Sequence, residues 1–100
     1  NPIDLARPAE NLGTSGFMPA EREKLDEMLK HDFVDVFRHF NDEPSHYTWW
    51  SQRGRAREKN IGWRIDYHFV TKSMLRKLKN SYIQPEVLGS DHCPLVMEML

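Results

Sequence analysis

Apolar residues fall at helical spacing early in this chain and alternate at strand spacing later. Leu25, Met28 and Leu29 share one helical face, and Pro19 suits a first helical position. Glu21 and Glu23 place carboxylates in the first turn, where the helix dipole favours them. Together they predict a helix from Pro19 to about Lys30 with a buried apolar stripe. Asp32 is placed to cap a second, shorter helix in which Phe33, Val36, Phe37 and Phe40 share a face, and Asn41-Asp42-Glu43-Pro44 ends it. Residues 1–18 hold no period and are punctuated by Pro2, Pro8, Gly13 and Gly16, which predicts a loop.

Beyond residue 46 the period shortens to two. Tyr47-Thr48-Trp49-Trp50 is aromatic and β-prone, and Ser51 to Gly62 is a polar, basic connection. Trp63 to Val70 predicts a strand with Trp63, Ile65, Tyr67 and Phe69 on one face and Arg64, Asp66 and His68 on the other. A short basic helix is expected from about Lys72 to Lys79, with Met74, Leu75 and Leu78 inward. Tyr82 to Val87 reads as a weaker strand, because Pro85 argues for an edge or a bulge. Leu88 to His92 reads as a turn, and Leu95, Met97 and Met99 mark a last strand. The fold class is therefore α/β of the α+β type, with helices packed on a largely antiparallel sheet.

Size and composition narrow this picture. One hundred residues make one small domain at most. The chain opens abruptly at Asn1-Pro2-Ile3-Asp4, without Met or a signal sequence, so we expect residues 1–100 to be a piece of a longer single domain. No apolar run approaches the roughly 20 residues of a membrane span. Cys93 is the one cysteine, so no internal disulfide can form, which fits a reducing compartment. The net charge of −1 conceals an asymmetry. Nine Lys or Arg face two acids between Arg53 and Lys79, giving +7, and five face thirteen elsewhere, giving −8. Such a basic segment suits a polyanion; it equally suits a solvated face with no partner.

Three groups of residues could carry chemistry. Asp91-His92 follows Gly89-Ser90 in a turn before a strand, a place where side chains reach a cleft. Asp is a hard-metal ligand and His a proton carrier or electrostatic clamp; alternatively, Asp91 simply caps turn amides. Asp66, flanked by strand aromatics, needs a partner; a cross-strand His92 is better placed than His68 on the same strand. Asn60 can donate to a phosphate oxygen, and Gly62 can adopt a backbone conformation closed to other residues. Trp63 is either core or a platform for a sugar or base, and one of Trp49, Trp50 and Trp63 is expected in the core.

Asn60-Ile-Gly-Trp-Arg-Ile-Asp-Tyr67 and Leu88-Gly-Ser-Asp-His-Cys-Pro94 resemble segments of the exonuclease III-type apurinic/apyrimidinic endonucleases, within the endonuclease/exonuclease/phosphatase superfamily. Ile3-Asp4-Leu5, Gly16-Phe17, Pro19-Ala20-Glu21-Arg22 and Thr48-Trp49-Trp50 extend the resemblance nearly end to end. The Ser-Asp-His-Pro-like element is shared across that superfamily; the Asn60–Tyr67 segment selects its DNA-repair branch. The resemblance implies that this chain is the C-terminal part of a four-layer α/β sandwich. It implies that His92, paired with Asp66, contacts the scissile phosphate and that Asp91 lies by a Mg²⁺ site, which Mn²⁺ can also fill. Trp63, Trp49 and Ile65 would line a pocket for an extruded abasic sugar, and Arg53, Arg55 and Arg57 would face duplex DNA. The family's metal-binding Glu, catalytic Tyr and Asp-x-Asn motif have no counterpart here, and Met18 replaces a usual capping Thr. The expected activity is hydrolysis of the phosphodiester 5′ to an abasic site, with 3′-exonuclease trimming as a second activity and a monomeric complete enzyme. The setting would be a bacterial cytoplasm or a eukaryotic nucleus. This chain by itself is expected to be inactive. Two other readings are a phosphatase of inositol phosphates or phospholipids and a non-catalytic DNA-binding fragment.

Overall fold

Pro19 opens helix α1, Pro19–Lys30, as its fixed φ allows, in a computed structural model that describes residues 1–100. Met18 sits at the N-cap and makes no side-chain cap hydrogen bond. None of the α1 residues is buried, so Leu25, Met28 and Leu29 form a half-covered stripe rather than the buried one expected. The expected loop 1–18 contains two short 3-10 turns, Pro2–Asp4 and Ala9–Asn11.

Asp32 does not cap the second helix. It takes a left-handed φ of 74° and turns the chain into strand β1, Phe33–Asp35. The cap is Asp35, whose carboxylate accepts the Arg38 amide at the start of α2, Val36–Phe40. Strand β2 (Trp49–Trp50) pairs antiparallel with β3 (Gly62–Trp63), and β1 pairs with β4 (Phe69–Thr71). The Lys72–Lys77 segment is a 3-10 helix, and β5 runs Leu78–Ile83, ending before Pro85 rather than spanning it. β5 pairs with β6, Leu95–Met99. The result is α+β with every strand pair antiparallel, divided into three two-stranded sheets instead of one continuous sheet.

The division has a physical cause. The expected strand from Trp63 to Val70 leaves the ladder after Trp63, because Arg64 turns inward. Its guanidinium is fully buried and donates to Asp4 (Nε 2.8 Å to Oδ1, Nη2 3.1 Å to Oδ2) and to both Asp35 oxygens. Arg38 adds Nε and Nη2 contacts of 3.2 and 2.7 Å to Asp4 Oδ1. Bidentate geometry and opposite charges on both sides satisfy groups that would otherwise be costly to bury. Burial alone would raise the Asp4 carboxyl, yet hydrogen bonds and charge from Arg64 and a hydrogen bond from Arg38 hold it below its usual range. Arg64 is thus buried while Ile65, on the opposite face of the expected strand, is 39% exposed.

Extents of 42 × 32 × 20 Å leave room for only a thin interior, and 15 of 100 residues are buried. One apolar cluster joins Tyr47, Trp50, Ala56 and Cys93. This makes Trp50 the core tryptophan. Gly62 serves packing, not an unusual φ: an added Cβ would meet Trp50 Nε1 at 2.6 Å and the Trp49 carbonyl at 2.8 Å. Gly is therefore required where β3 passes the Trp50 ring. No helix is long and apolar enough to cross a membrane.

Candidate active site

Thr48 organises the site, and no sequence motif marked it individually. Its side chain is fully buried, its amide donates to the Trp63 carbonyl at 3.0 Å, and its own carbonyl accepts the Cys93 amide at 2.9 Å. Its hydroxyl accepts two backbone amides, from Ile65 at 3.1 Å and Asp66 at 3.2 Å. One residue thus ties the 63–66 segment to the 91–93 segment. The signal available in sequence was only a polar residue inside an aromatic strand.

With both segments fixed, Asp66 meets His92. His92 Nδ1 lies 2.8 Å from Asp66 Oδ2, and each side chain is 41% exposed. A bridge between Trp49 and His92 and the Ser90 hydroxyl accepting the His92 amide at 3.1 Å hold the imidazole's backbone. Nδ1 is committed to Asp66, so Nε2 is the ring nitrogen free to face a ligand. The cross-strand partner was chosen correctly over His68, whose Nδ1 is buried without a hydrogen bond.

Asp91 lies beside this pair. Trp49 Nε1 donates to its Oδ2 at 3.0 Å, and the Trp50 amide donates to its carbonyl at 3.2 Å. The Trp49 hydrogen bond is the main reason the Asp91 carboxyl stays below its usual range, with His92 contributing charge. Asp91 is therefore an ionised hard-oxygen donor with one oxygen occupied by Trp49. No group of three or more His, Cys, Asp or Glu is arranged to hold a metal ion by itself. Mg²⁺ is commonly bound through one or two carboxylates, with water and phosphate completing the shell, so Asp91 fits as one ligand.

Trp49, Trp63 and Ile65, expected together, line one cavity of about 390 Å³. Sequence reasoning missed its other wall, Thr14, Ser15, Gly16 and Glu21. Both Glu21 carboxylate oxygens accept the Gly16 amide, at 3.0 and 2.8 Å, and Gly16 has φ of 92°. A Cβ at Gly16 would stand 3.0 Å from the Trp63 ring, so the loop abuts that ring closely. Trp63 also meets Phe17 and Trp49 edge-on, each at 6.4 Å between centroids. The pocket wall and the Asp91 carboxylate therefore share Trp49.

The basic residues separate into two kinds. Arg53 and Arg55 are exposed and their side chains make no hydrogen bond or ion pair within the chain. Arg57 is turned onto the protein, and Arg64 is interior, so the basic segment is not one continuous charged face. Asn60, expected to donate to phosphate, instead accepts Trp50 Nε1 at 3.1 Å and donates to the Ser45 carbonyl at 3.1 Å. Its amide holds the core tryptophan.

The endonuclease/exonuclease/phosphatase family model matches residues 3–92. The chain belongs to this family. Among its relatives is an exodeoxyribonuclease of Bacillus subtilis, 46% identical over 94 residues, covering 93% of this chain and 37% of the relative. The AP endonuclease LMAP of Leishmania major superposes with a TM-score of 0.80 at 38% identity, over 84% of this chain and 26% of that one. The 3′ phosphatase NExo of Neisseria, bound to a product DNA hairpin, superposes with a TM-score of 0.91 at 27% identity, over 99% of this chain and 40% of its own. The chain thus spans between about a quarter and two fifths of these relatives. The family resemblance read from the Asn60–Tyr67 and Leu88–Pro94 segments holds, and so does the α+β class.

Proposed function

We propose that this chain is the C-terminal portion of a single nuclease domain, and that the complete protein hydrolyses the phosphodiester 5′ to an abasic site in duplex DNA. The observation that carries this reading is the 2.8 Å His92–Asp66 pair beside Asp91, with the Trp49–Trp63–Ile65 cavity adjoining it. His92, held by Asp66, presents Nε2 to a phosphate oxygen and strengthens as a donor when that oxygen gains charge. Asp91, fixed by Trp49, is the residue that would hold Mg²⁺, with Mn²⁺ as a substitute. Mg²⁺, when bound, supplies Lewis-acid polarisation and charge neutralisation at the phosphate. The aromatic cavity receives the sugar of a nucleotide without a base, which is cheap to extrude because nothing is unstacked. Arg53 and Arg55 face the DNA backbone.

Residues equivalent to the family's Glu and Asp-x-Asn are absent from these 100 residues, so the chain alone is inactive in this reading. A monomeric enzyme working where DNA is kept, a bacterial cytoplasm or a eukaryotic nucleus, follows from the function. The test is His92→Ala and Asp66→Ala in the complete protein, assayed on an abasic duplex with Mg²⁺. Loss of a positioned acid–base or electrostatic group lowers turnover about 10²- to 10⁴-fold. Near-normal cleavage by both variants would sink the assignment. A second reading, trimming of 3′ ends, draws on the likeness to the Neisseria 3′ phosphatase, and a 3′-phosphate or 3′-recessed duplex tests it in the same assay.

A further inference from the structure

Arg57 spends its guanidinium on the protein. Nη1 donates to the Ser90 carbonyl, and Nη2 to the Pro85 and Val87 carbonyls, each at 2.9 Å. The guanidinium carbon lies 4.5 Å above the Trp50 ring. All three acceptors belong to one loop, Pro85–Ser90, which has no strand pairing of its own and leads directly into Asp91-His92. Trp50, the other support, is held by Asn60 through Nε1 and by Asp91 through its amide.

We propose that Arg57 is a positioning residue: its planar fork fixes the Pro85–Ser90 loop so that Asp91 reaches Trp49 and His92 reaches Asp66. The proposal rests on the nuclease reading for its functional consequence only. Three carbonyls beside an aromatic ring suit a guanidinium; a Lys ammonium retains the charge but cannot reproduce the fork or the stack. Arg53 and Arg55, four and two residues earlier, make no such contacts and provide the contrast. The same short loop therefore holds arginines that face outward and one that braces the site.

The experiment compares Arg57→Lys and Arg57→Gln in the complete protein. A small displacement of a reacting group costs about 10²-fold in rate, so kcat on an abasic duplex is expected to fall by about that factor, with KM changed by less than about threefold. The slope of log binding constant against log salt is expected to stay as in the parent, because no phosphate contact is removed. Amide hydrogen exchange is expected to speed about tenfold or more at Trp50 and Cys93, whose amides bond Asp91 and Thr48, but not in β1 and β4. Unchanged kcat with a salt slope reduced by about one would make Arg57 a DNA contact and overturn the proposal. Failure of both variants to fold, or faster exchange throughout the chain, would make it a general stability residue and overturn it equally. If the parent protein does not cut abasic DNA, the nuclease reading fails, and the exchange at Trp50 and Cys93 alone decides Arg57.

Discussion

Arg64 and Asp66 stand two residues apart, and each anchors a polar side-chain pairing, yet the two are built for different ends. Arg64 is fully enclosed by Asp4 and Asp35, with Arg38 closing the far side of Asp4. Asp66 and His92 are each 41% exposed to solvent. The enclosed pair has no solvent to replace a lost partner, so it belongs to folding. The open pair can be approached by a ligand, and water covers either partner if the other is lost. The comparison teaches that burial, more than residue type or spacing, separates a charge that holds the fold from one that can act on a substrate.

The sharpest break comes at Arg64. Arg64→Met leaves the Asp4 and Asp35 carboxylates facing each other in the interior, a loss of about 3–5 kcal/mol. Domains have only about 5–15 kcal/mol to lose, so the melting temperature is expected to fall by about 10 °C or more by circular dichroism. A cooperative, parent-like thermal transition would show that the cluster does not hold the fold. Asp66→Asn is its counterpart at the open pair. An exposed pair contributes about 0–1 kcal/mol, so the melting temperature should move by a few degrees at most, while turnover falls as for Asp66→Ala. If Asp66→Asn unfolded the protein instead, the division between the two pairs would be wrong.

This division was only partly legible in the sequence. The Asp66–His92 pairing and the Asp91 turn were readable from residue type and strand position, and the grouping of Trp49, Trp63 and Ile65 from the family resemblance. The interior of the ion cluster was not. Alternation put Arg64 on a face with Asp66 and His68, but periodicity cannot register that Asp4 and Asp35, 60 and 29 residues away, neutralise the arginine. Thr48, Gly16 and Glu21 were missed as site residues for a related reason: their work is done through backbone amides, which carry no side-chain signature. Arg57 and Asn60 had the right chemistry for DNA, and the structure turns both toward carbonyls and a tryptophan.

pH gives a smaller and graded version of the same contrast. Folding depresses the Asp4 carboxyl, so its stabilisation is fully present above the unfolded value of about 3.9 and is lost as pH falls through the lower folded value. At the alkaline end, burial first and the nearby Asp4 charge second push Tyr67 up to about 12, and its hydroxyl donates to the Arg64 carbonyl at 2.8 Å. A raised folded value contributes stability below about pH 10 that disappears as pH rises toward 12. The melting temperature should therefore hold a plateau at intermediate pH and fall below about pH 4 and above about pH 10. Tyr67→Phe should flatten the alkaline fall; an unchanged alkaline limb would remove Tyr67 from the cluster's energetics.

The smallest effects are expected where charge is fully open, at Arg53 and Arg55. Neither side chain bonds to the protein, so Arg53→Gln and Arg55→Gln should leave the melting temperature and kcat as they are. What changes is affinity for duplex DNA. Each lost phosphate contact lowers the steepness of log binding constant against log salt by about one, equally on abasic and intact duplexes, because backbone contacts carry no lesion information. Fluorescence anisotropy across a salt series on both duplexes reads this directly. A lowered slope on both duplexes places these arginines on the backbone. A loss confined to the abasic duplex would instead move them into the lesion pocket beside Trp49 and Trp63. Parent-like slopes for both variants would leave the basic loop as a solvated face, and the contrast with Arg57, bonded to three loop carbonyls, would then be between a brace and a solvated charge.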